Sequence, residues 1–246
     1  MSFLNTLSRH YIVAIMTLLW STCSVAGVSL TSTRLIVADN NRGQEASGSI
    51  GVRSDETSSG PYLVKAQIFR DIKGQQAQVP FVLSPALFRL EPGDTNQLRV
   101  VKKSGELPKD RESLFYLRVA ALPASGGTPQ TEFSAPKGAL NVATGNIIKL
   151  FYRPNGLQIT AKAAPGQLQF TAAGNHIKVN NPTPYYITLS SLQVNGKPVS
   201  IRTRPEQNMI APFGETLFSN ALTKGYVQWQ AIDDYGGRES FHGAIR

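Results

Sequence analysis

Residues 140–156 read LNVATGNIIKLFYRPNG. Leu140, Val142, Thr144, Asn146 and Ile148 fall on alternate positions, and the run stays strand-like through Tyr152. Period-two spacing marks a β-strand, because successive side chains point to opposite faces. The run stops at Arg153-Pro154-Asn155-Gly156. Proline has no N–H for a ladder, and Asn-Gly is a turn signal. This is the longest strand candidate in the chain, and a fresh strand pattern follows it. A domain boundary is therefore expected here, with residues 27–153 in one domain and 154–246 in the next. Both lengths suit a β-sandwich.

Working outward, the same pattern recurs. Strands are predicted over Val28–Val37, Tyr62–Phe69, Gln97–Val101 and Leu114–Ala120 before the 140–152 run. They are predicted over Leu168–Phe170, Ile177–Val179, Tyr185–Val194, Thr216–Phe218 and Val227–Ile232 after it. Gly60-Pro61, Glu91-Pro92-Gly93-Asp94, Asn195-Gly196 and Tyr235-Gly236-Gly237 punctuate them. Asn195-Gly196 is the residue pair of a type I′ hairpin turn. No long helical period occurs. The fold class is all-β, with two immunoglobulin-like sandwiches of seven or so strands each.

Composition narrows the function. The chain has 246 residues, with 25 Lys+Arg against 16 Asp+Glu and a net charge of +9. Charged residues make up 17% and hydrophobic residues 41%, which excludes an intrinsically disordered chain. Residues 1–26 read as a secretory signal peptide: Arg9 and His10, an apolar run Tyr11–Trp20, then Ser24-Val25-Ala26 as a small-x-small cleavage site. Ten apolar residues make about 15 Å of helix, roughly half a bilayer core, so a membrane anchor is the weaker reading. Cleavage after Ala26 would remove Cys23, the single cysteine, leaving neither disulfide nor cysteine–zinc chemistry. A basic exported protein has no nucleic acid to meet. Acidic or amphipathic protein partners, or the membrane surface, are the expectation.

Catalytic patterns are missing from the sequence. It contains no G-x-S-x-G, Walker A or G-x-G-x-x-G motif. The three histidines, His10, His176 and His242, have no metal-ligand spacing. Asp233-Asp234 is the one paired-carboxylate candidate, and turn chemistry before Tyr235-Gly236-Gly237 explains it better. A non-enzymatic binding protein without metal or cofactor is expected. A secreted adhesin or carbohydrate-binding module is the alternative, with a periplasmic hydrolase behind it.

Several stretches together carry a resemblance. They are Ser29–Val37 (SLTSTRLIV), Phe88–Val101 (FRLEPGDTNQLRVV), Leu107–Val119 (LPKDRESLFYLRV) and Ile147–Pro154 (IIKLFYRP). Asn181–Leu189 (NPTPYYITL), Met209–Phe213 (MIAPF) and Ile232–Gly237 (IDDYGG) continue the series in order. The chain resembles the periplasmic pilus assembly chaperones of the chaperone–usher pathway over essentially its whole exported length. With no cysteine after residue 26, it resembles their short-loop branch.

The resemblance implies two immunoglobulin-like domains set in an L, with a cleft that holds a pilin subunit. It implies donor-strand complementation, in which a chaperone strand completes the open sandwich of the subunit, a form of β-augmentation. The subunit then passes to an outer-membrane usher. Leu140, Val142, Thr144, Asn146 and Ile148 become the donor face, with Thr144 where the family usually has a large apolar residue. Arg34 and Lys149 become the anchor for the C-terminal carboxylate of the subunit, and Arg can grip a carboxylate bidentately. Glu112, Arg153 and Asp234 become an interdomain salt bridge, structural rather than catalytic. Residues 123–137 form the loop before the donor strand. An exposed donor edge also makes self-association of the subunit-free protein an expectation.

Overall fold

The computed structural model describes residues 27–39, 45–58, 60–103, 105–123, 144–201, 207–219 and 224–246. The signal-peptide reading, the loop after Pro123, and Leu140 and Val142 lie outside the described residues.

Nine strands form the first unit: β1 (Val28–Leu30), β2 (Arg34–Ala38), β3 (Ser47–Ser54), β4 (Tyr62–Phe69), β5 (Phe81–Ser84), β6 (Leu87–Leu90), β7 (Thr95–Lys102), β8 (Ser113–Pro123) and β9 (Thr144–Arg153). Their order is β5-β7-β3-β2-β9-β8-β4-β6, with β1 on β3. The two halves of this path face each other, and they join where Ala38 pairs with Ser47. Val37, Val52, Val64, Leu98, Phe115, Leu117 and Leu150 fill the space between them, none more than 1% exposed. Strand β4 shows the underlying rule. Tyr62, Val64, Ala66 and Ile68 turn inward, while Leu63, Lys65 and Gln67 turn outward. A fully buried Val side chain contributes about 1.5–3 kcal/mol, and its alternation fixes the register of the strand.

The second unit contains β10 (Gln169–Ala173), β11 (His176–Asn180), β12 (Ile187–Val194), β13 (Lys197–Pro198), β14 (Met209–Ile210), β15 (Glu215–Ser219), β16 (Tyr226–Ile232) and β17 (Arg238–Ala244). One sheet runs β10-β11-β15 and the other β13-β12-β16-β17, with β14 on β12. Ile177, Leu189, Phe218, Val227 and Trp229 pack between them. Trp229 Nε1 donates to the Pro165 carbonyl at 3.0 Å, so the buried indole is satisfied. Asn195 and Gly196 have φ of 49° and 77° and join Val194 to Lys197, as a two-residue I′ hairpin requires.

Several elements differ from the sequence expectation, and β5, β6 and β14 are among the strands it did not include. Val28–Val37 is not one strand. It breaks at Thr31–Thr33, because the chain crosses from β3, the partner of β1, to β9, the partner of β2. Thr31 fastens the crossing: its N–H donates to the Gly51 carbonyl at 3.0 Å, and Gly51 N–H donates to Thr31 Oγ1 at 2.9 Å. The second difference is β3, which has no strand-like run of large apolar residues. Its sequence SGSIGVRS buries Ile50 and Val52 alone among large apolar side chains. A Cβ at Gly48 would collide with the Ile36 carbonyl, so closeness of two backbones, not propensity, selects the residue. Strand β17 was also illegible, being a polar edge strand with no fully buried side chain.

Candidate functional site

The site grows out of the two edges of β9. One edge pairs with β8 over the whole strand, from Ser113–Tyr152 to Ala121–Thr144. The other edge pairs with β2 in parallel, and only from Arg34–Lys149 to Ala38–Arg153. Over residues 144–148 that second edge has no strand partner among the described residues. Backbone groups there are available to an added strand.

Side chains along β9 divide by parity. Leu150 and Tyr152 enter the first core, and Ile148 packs against it. Asn146 and Thr144 continue the same face outward. Asn146 Nδ2 donates to the Val28 carbonyl at 3.2 Å, which ties β1 to this edge. Of the five residues expected on the donor face, then, Ile148 already packs against the first core and Asn146 is hydrogen-bonded. Thr144 is the exposed one among those described. The opposite face carries Ile147, Lys149, Phe151 and Arg153 toward the second unit.

Arg34 and Lys149 are direct register partners on adjacent strands. Arg34 is 8% exposed. Its Nη1 donates to the Ile232 carbonyl of β16 at 3.2 Å, and its guanidinium sits 6.0 Å from the Phe151 ring centre. Its Nε is buried with no partner. A buried donor without a protein partner is costly. Burial pushes the guanidinium below its ordinary pKa, while Asp234, Asp233 and Glu112 pull it back up. These carboxylates favour the protonated guanidinium against the cost of its burial. Phe151 and Tyr186, with ring centres 5.6 Å apart, wall the same cleft, a cavity of about 260 Å³ between the two units.

Behind the cleft, Arg153 joins three elements. Its Nε donates to Glu112 Oε1 at 2.8 Å, and Nη1 and Nη2 grip Asp234 Oδ2 and Oδ1 at 2.7 and 2.8 Å. Its guanidinium also lies 5.1 Å from the Tyr185 ring centre. Glu112 Oε2 accepts from Tyr186 N–H at 2.9 Å, and Glu112 N–H donates to the Pro184 carbonyl at 2.9 Å. The first unit thus supplies Glu112 and Arg153, and the second supplies Asp234 and backbone groups at 184 and 186. Burial raises the Glu112 carboxyl above its ordinary pKa, against the pull of Arg153 and of the Tyr186 N–H. Burial alone would lower Arg153, but the Asp234 hydrogen bonds and the two carboxylate charges hold it above its ordinary value. At the outer end of β2, Tyr152 donates to Asp39 Oδ2 at 2.8 Å; burial and this bond push the phenol up to about 12.

Residues 27–158 match the family described as "Pili and flagellar-assembly chaperone, PapD N-terminal domain". Residues 163–242 match "Pili assembly chaperone PapD, C-terminal domain". The chain belongs to the pilus-assembly chaperone family. Among its relatives, "Probable fimbrial chaperone protein ElfD" of Escherichia coli K12 is 36% identical over 214 residues, covering 85% of this chain and 83% of ElfD. The E. coli chaperone DraB aligns at a TM-score of 0.69 with 31% identity, over 90% of this chain and 97% of DraB. A chain of the Salmonella enterica SafA pilin–SafB chaperone complex aligns at 0.71 with 29% identity, over 91% and 98%. The protein is a periplasmic pilus-assembly chaperone with the two-domain fold of that family. Membership removes the adhesin and carbohydrate-module alternative.

In this chaperone, sequence reading missed two parts of the site. The Ile232 carbonyl that holds Arg34 is backbone, so no residue type announces it. Phe151 and Tyr186 read as ordinary strand aromatics until the cleft brings them together. The turn chemistry expected of Asp233 is present: it accepts from Tyr235 and Gly237 N–H at 2.9 and 2.7 Å, and so shapes the hairpin that presents Asp234. Among the described residues there is no cluster of metal-ligating side chains and no helix long and apolar enough to cross a membrane.

Proposed function

We propose that this chaperone captures pilin subunits by donor-strand complementation, with Arg34 and Lys149 holding the C-terminal carboxylate of the subunit. The observation that carries the reading is where the free edge of β9 ends. An incoming strand laid along residues 144–148 runs into the start of β2 and must stop beside Arg34 and Lys149. Two adjacent cations repel a chain amine and attract a chain carboxylate. The incoming strand therefore ends there with its C-terminus, parallel to β9, just as β2 is. The buried Nε of Arg34 supplies a waiting donor. Fixing the terminus fixes register, since a one-residue slip would turn the wrong face of the donor strand inward.

The donor side chains in this proposal are Leu140, Val142 and Thr144, since Asn146 and Ile148 of the expected donor face have contacts within this protein. The domain boundary falls at Arg153, whose side chain with Glu112 and Asp234 sets the interdomain geometry. Export with cleavage after Ala26, action without catalysis, and delivery to an outer-membrane usher complete the reading. The SafA–SafB pairing, a pilin with its chaperone, supports it by likeness.

Co-purification tests the proposal. Tagged protein expressed in the periplasm with pilin subunits is expected to bring a subunit with it, and Arg34→Ala to lose it while remaining soluble. Recovery of subunit by Arg34→Ala at the parent level would reject the anchor. The same open edge invites a second copy of the chaperone. Light scattering of subunit-free protein should show molar mass rising with concentration and returning to one-to-one stoichiometry once a subunit is bound; a monomer at every concentration would exclude edge pairing.

A further inference from the structure

The cleft carries an exposed aromatic that belongs neither to the anchor pair nor to the interdomain bridge. Tyr235 is 94% exposed, the most exposed large hydrophobic side chain described. It stands at the tip of the β16–β17 hairpin and lines the same cleft as Arg34 and Phe151. Its backbone is held firmly. Tyr235 N–H and Gly237 N–H both donate to Asp233 Oδ1, and Gly236 N–H donates to the Asp233 carbonyl at 3.2 Å. The tip also rests on the first domain. Gly236 has φ of 89°, and a Cβ there would come within 2.9 Å of Thr33 Oγ1. Only glycine allows both that conformation and that approach.

Thr33 is the residue immediately before β2. The hairpin tip therefore touches the point where β2 begins, which is the point where an incoming strand must end. We infer that Tyr235 is a contact residue for the captured subunit, packing its ring on the last residues of the subunit's C-terminal strand. The inference rests on the capture reading above and adds a recognition element from the second domain. A bare ring on a pinned hairpin has large apolar area to bury and little backbone freedom to lose, the profile of an interface hot spot. Its partner is an apolar or aromatic side chain close to the C-terminus of the subunit, because the anchor pair takes the carboxylate itself. Asp233 and Asp234, turned to the hairpin and to Arg153, leave the ring as the free recognition group at this lip.

The test uses the full chaperone and, as probe, the pilin subunit that co-purifies with it. Immobilised complexes of parent, Tyr235→Ala, Tyr235→Phe and Lys149→Glu are washed, and subunit loss is followed with time. Tyr235→Ala should release subunit about tenfold faster. Tyr235→Phe should stay within about twofold of the parent, because the ring is kept. Both should melt with the parent, since the ring is exposed in the free protein. In parallel, tetranitromethane should nitrate Tyr235 in free chaperone and not in the complex, with half-exposed Tyr226 as reference. Release at the parent rate, or equal nitration of Tyr235 in both states, overturns the inference while Lys149→Glu still fails to hold subunit. A Lys149→Glu chaperone that holds subunit as the parent does, or a parent that brings down no subunit, overturns the capture reading and this contact with it.

Discussion

Lys149→Glu is expected to abolish subunit capture while leaving the chaperone folded. Lys149 sits beside Arg34 at the first pair of the parallel β2–β9 ladder, where the proposed capture places the end of the subunit strand. Reversing its charge sets a carboxylate against the carboxylate of the subunit. It also gives Arg34 an internal anion to satisfy, closing the waiting site from within. Removing one partner of a desolvated charge pair costs about 2–5 kcal/mol, and reversal costs more, so affinity should fall at least about thirtyfold. The fold should persist because β9 is held by backbone ladders to β8 and β2, which do not depend on the side chain. Lys149→Met separates charge loss from charge reversal and should fall between parent and Glu. A subunit extended by a few residues beyond its natural C-terminus should bind poorly to the parent for the same reason, since its carboxylate no longer reaches the pair. Equal capture by parent and Lys149→Glu, read by co-purification at matched expression, would remove the anchor from the mechanism.

The second large effect belongs to Arg153. Glu112 is 3% exposed and depends on Arg153 and on one backbone N–H for its compensation. Arg153→Ala leaves that carboxylate buried without its cation, which costs about 3–5 kcal/mol. Denaturant unfolding of the variant should show a loss of that order. Asp234→Asn should cost less, because the side chain of Asp234 is one-third exposed and water can take the place of its partner. The pH dependence follows from the direction of the Glu112 shift. Its carboxyl already titrates above the ordinary range in the folded protein, and loss of Arg153 removes the main downward pull and moves it higher. A folded-state pKa above the unfolded one means the folded state holds the proton more tightly. The stability it confers is full below the ordinary carboxylate pKa and is lost as pH rises through the folded value. The Arg153→Ala deficit should thus be smaller at pH 4 than at pH 8. An equal deficit at both would mean that loss of packing against Tyr185, not an unpaired buried charge, is the cause.

Whether either residue has such an effect depends on contacts between residues 41 or more positions apart in the chain, and this separates what was legible from what was not. Strands with a strict inward–outward alternation were readable, because burial on one face leaves a period-two record: Tyr62–Phe69 was read to the residue. Arg34, Lys149, Glu112, Arg153 and Asp234 were readable through family resemblance, since their types and local motifs stand together in the sequence. Asn195-Gly196 was readable because a I′ turn demands positive φ at both positions. For the alternating strand and the hairpin turn, the physical cause acts within a few residues.

Strand β3 was not readable, because Gly48 answers to the backbone of β2 and Gly51 to the side chain of Thr31, not to their own neighbours. The break at Thr31–Thr33 was equally hidden, because it reflects a change of partner and not a change of propensity. The cleft itself exists only in three dimensions. Ile232 lends Arg34 a carbonyl from 198 residues away. Phe151 meets Tyr186 across the domain boundary, and Gly236 brings Tyr235 to the start of β2. By itself the sequence determined the all-β class, the boundary near Arg153 as an expectation, and the identity of the charged residues. The tertiary structure decided how far β2 runs along β9, that Ile148 and Asn146 make contacts within this protein, and that Arg34 and Lys149 stand side by side. Those properties depend on which strands lie side by side, and side-by-side pairing is a property of the folded chain.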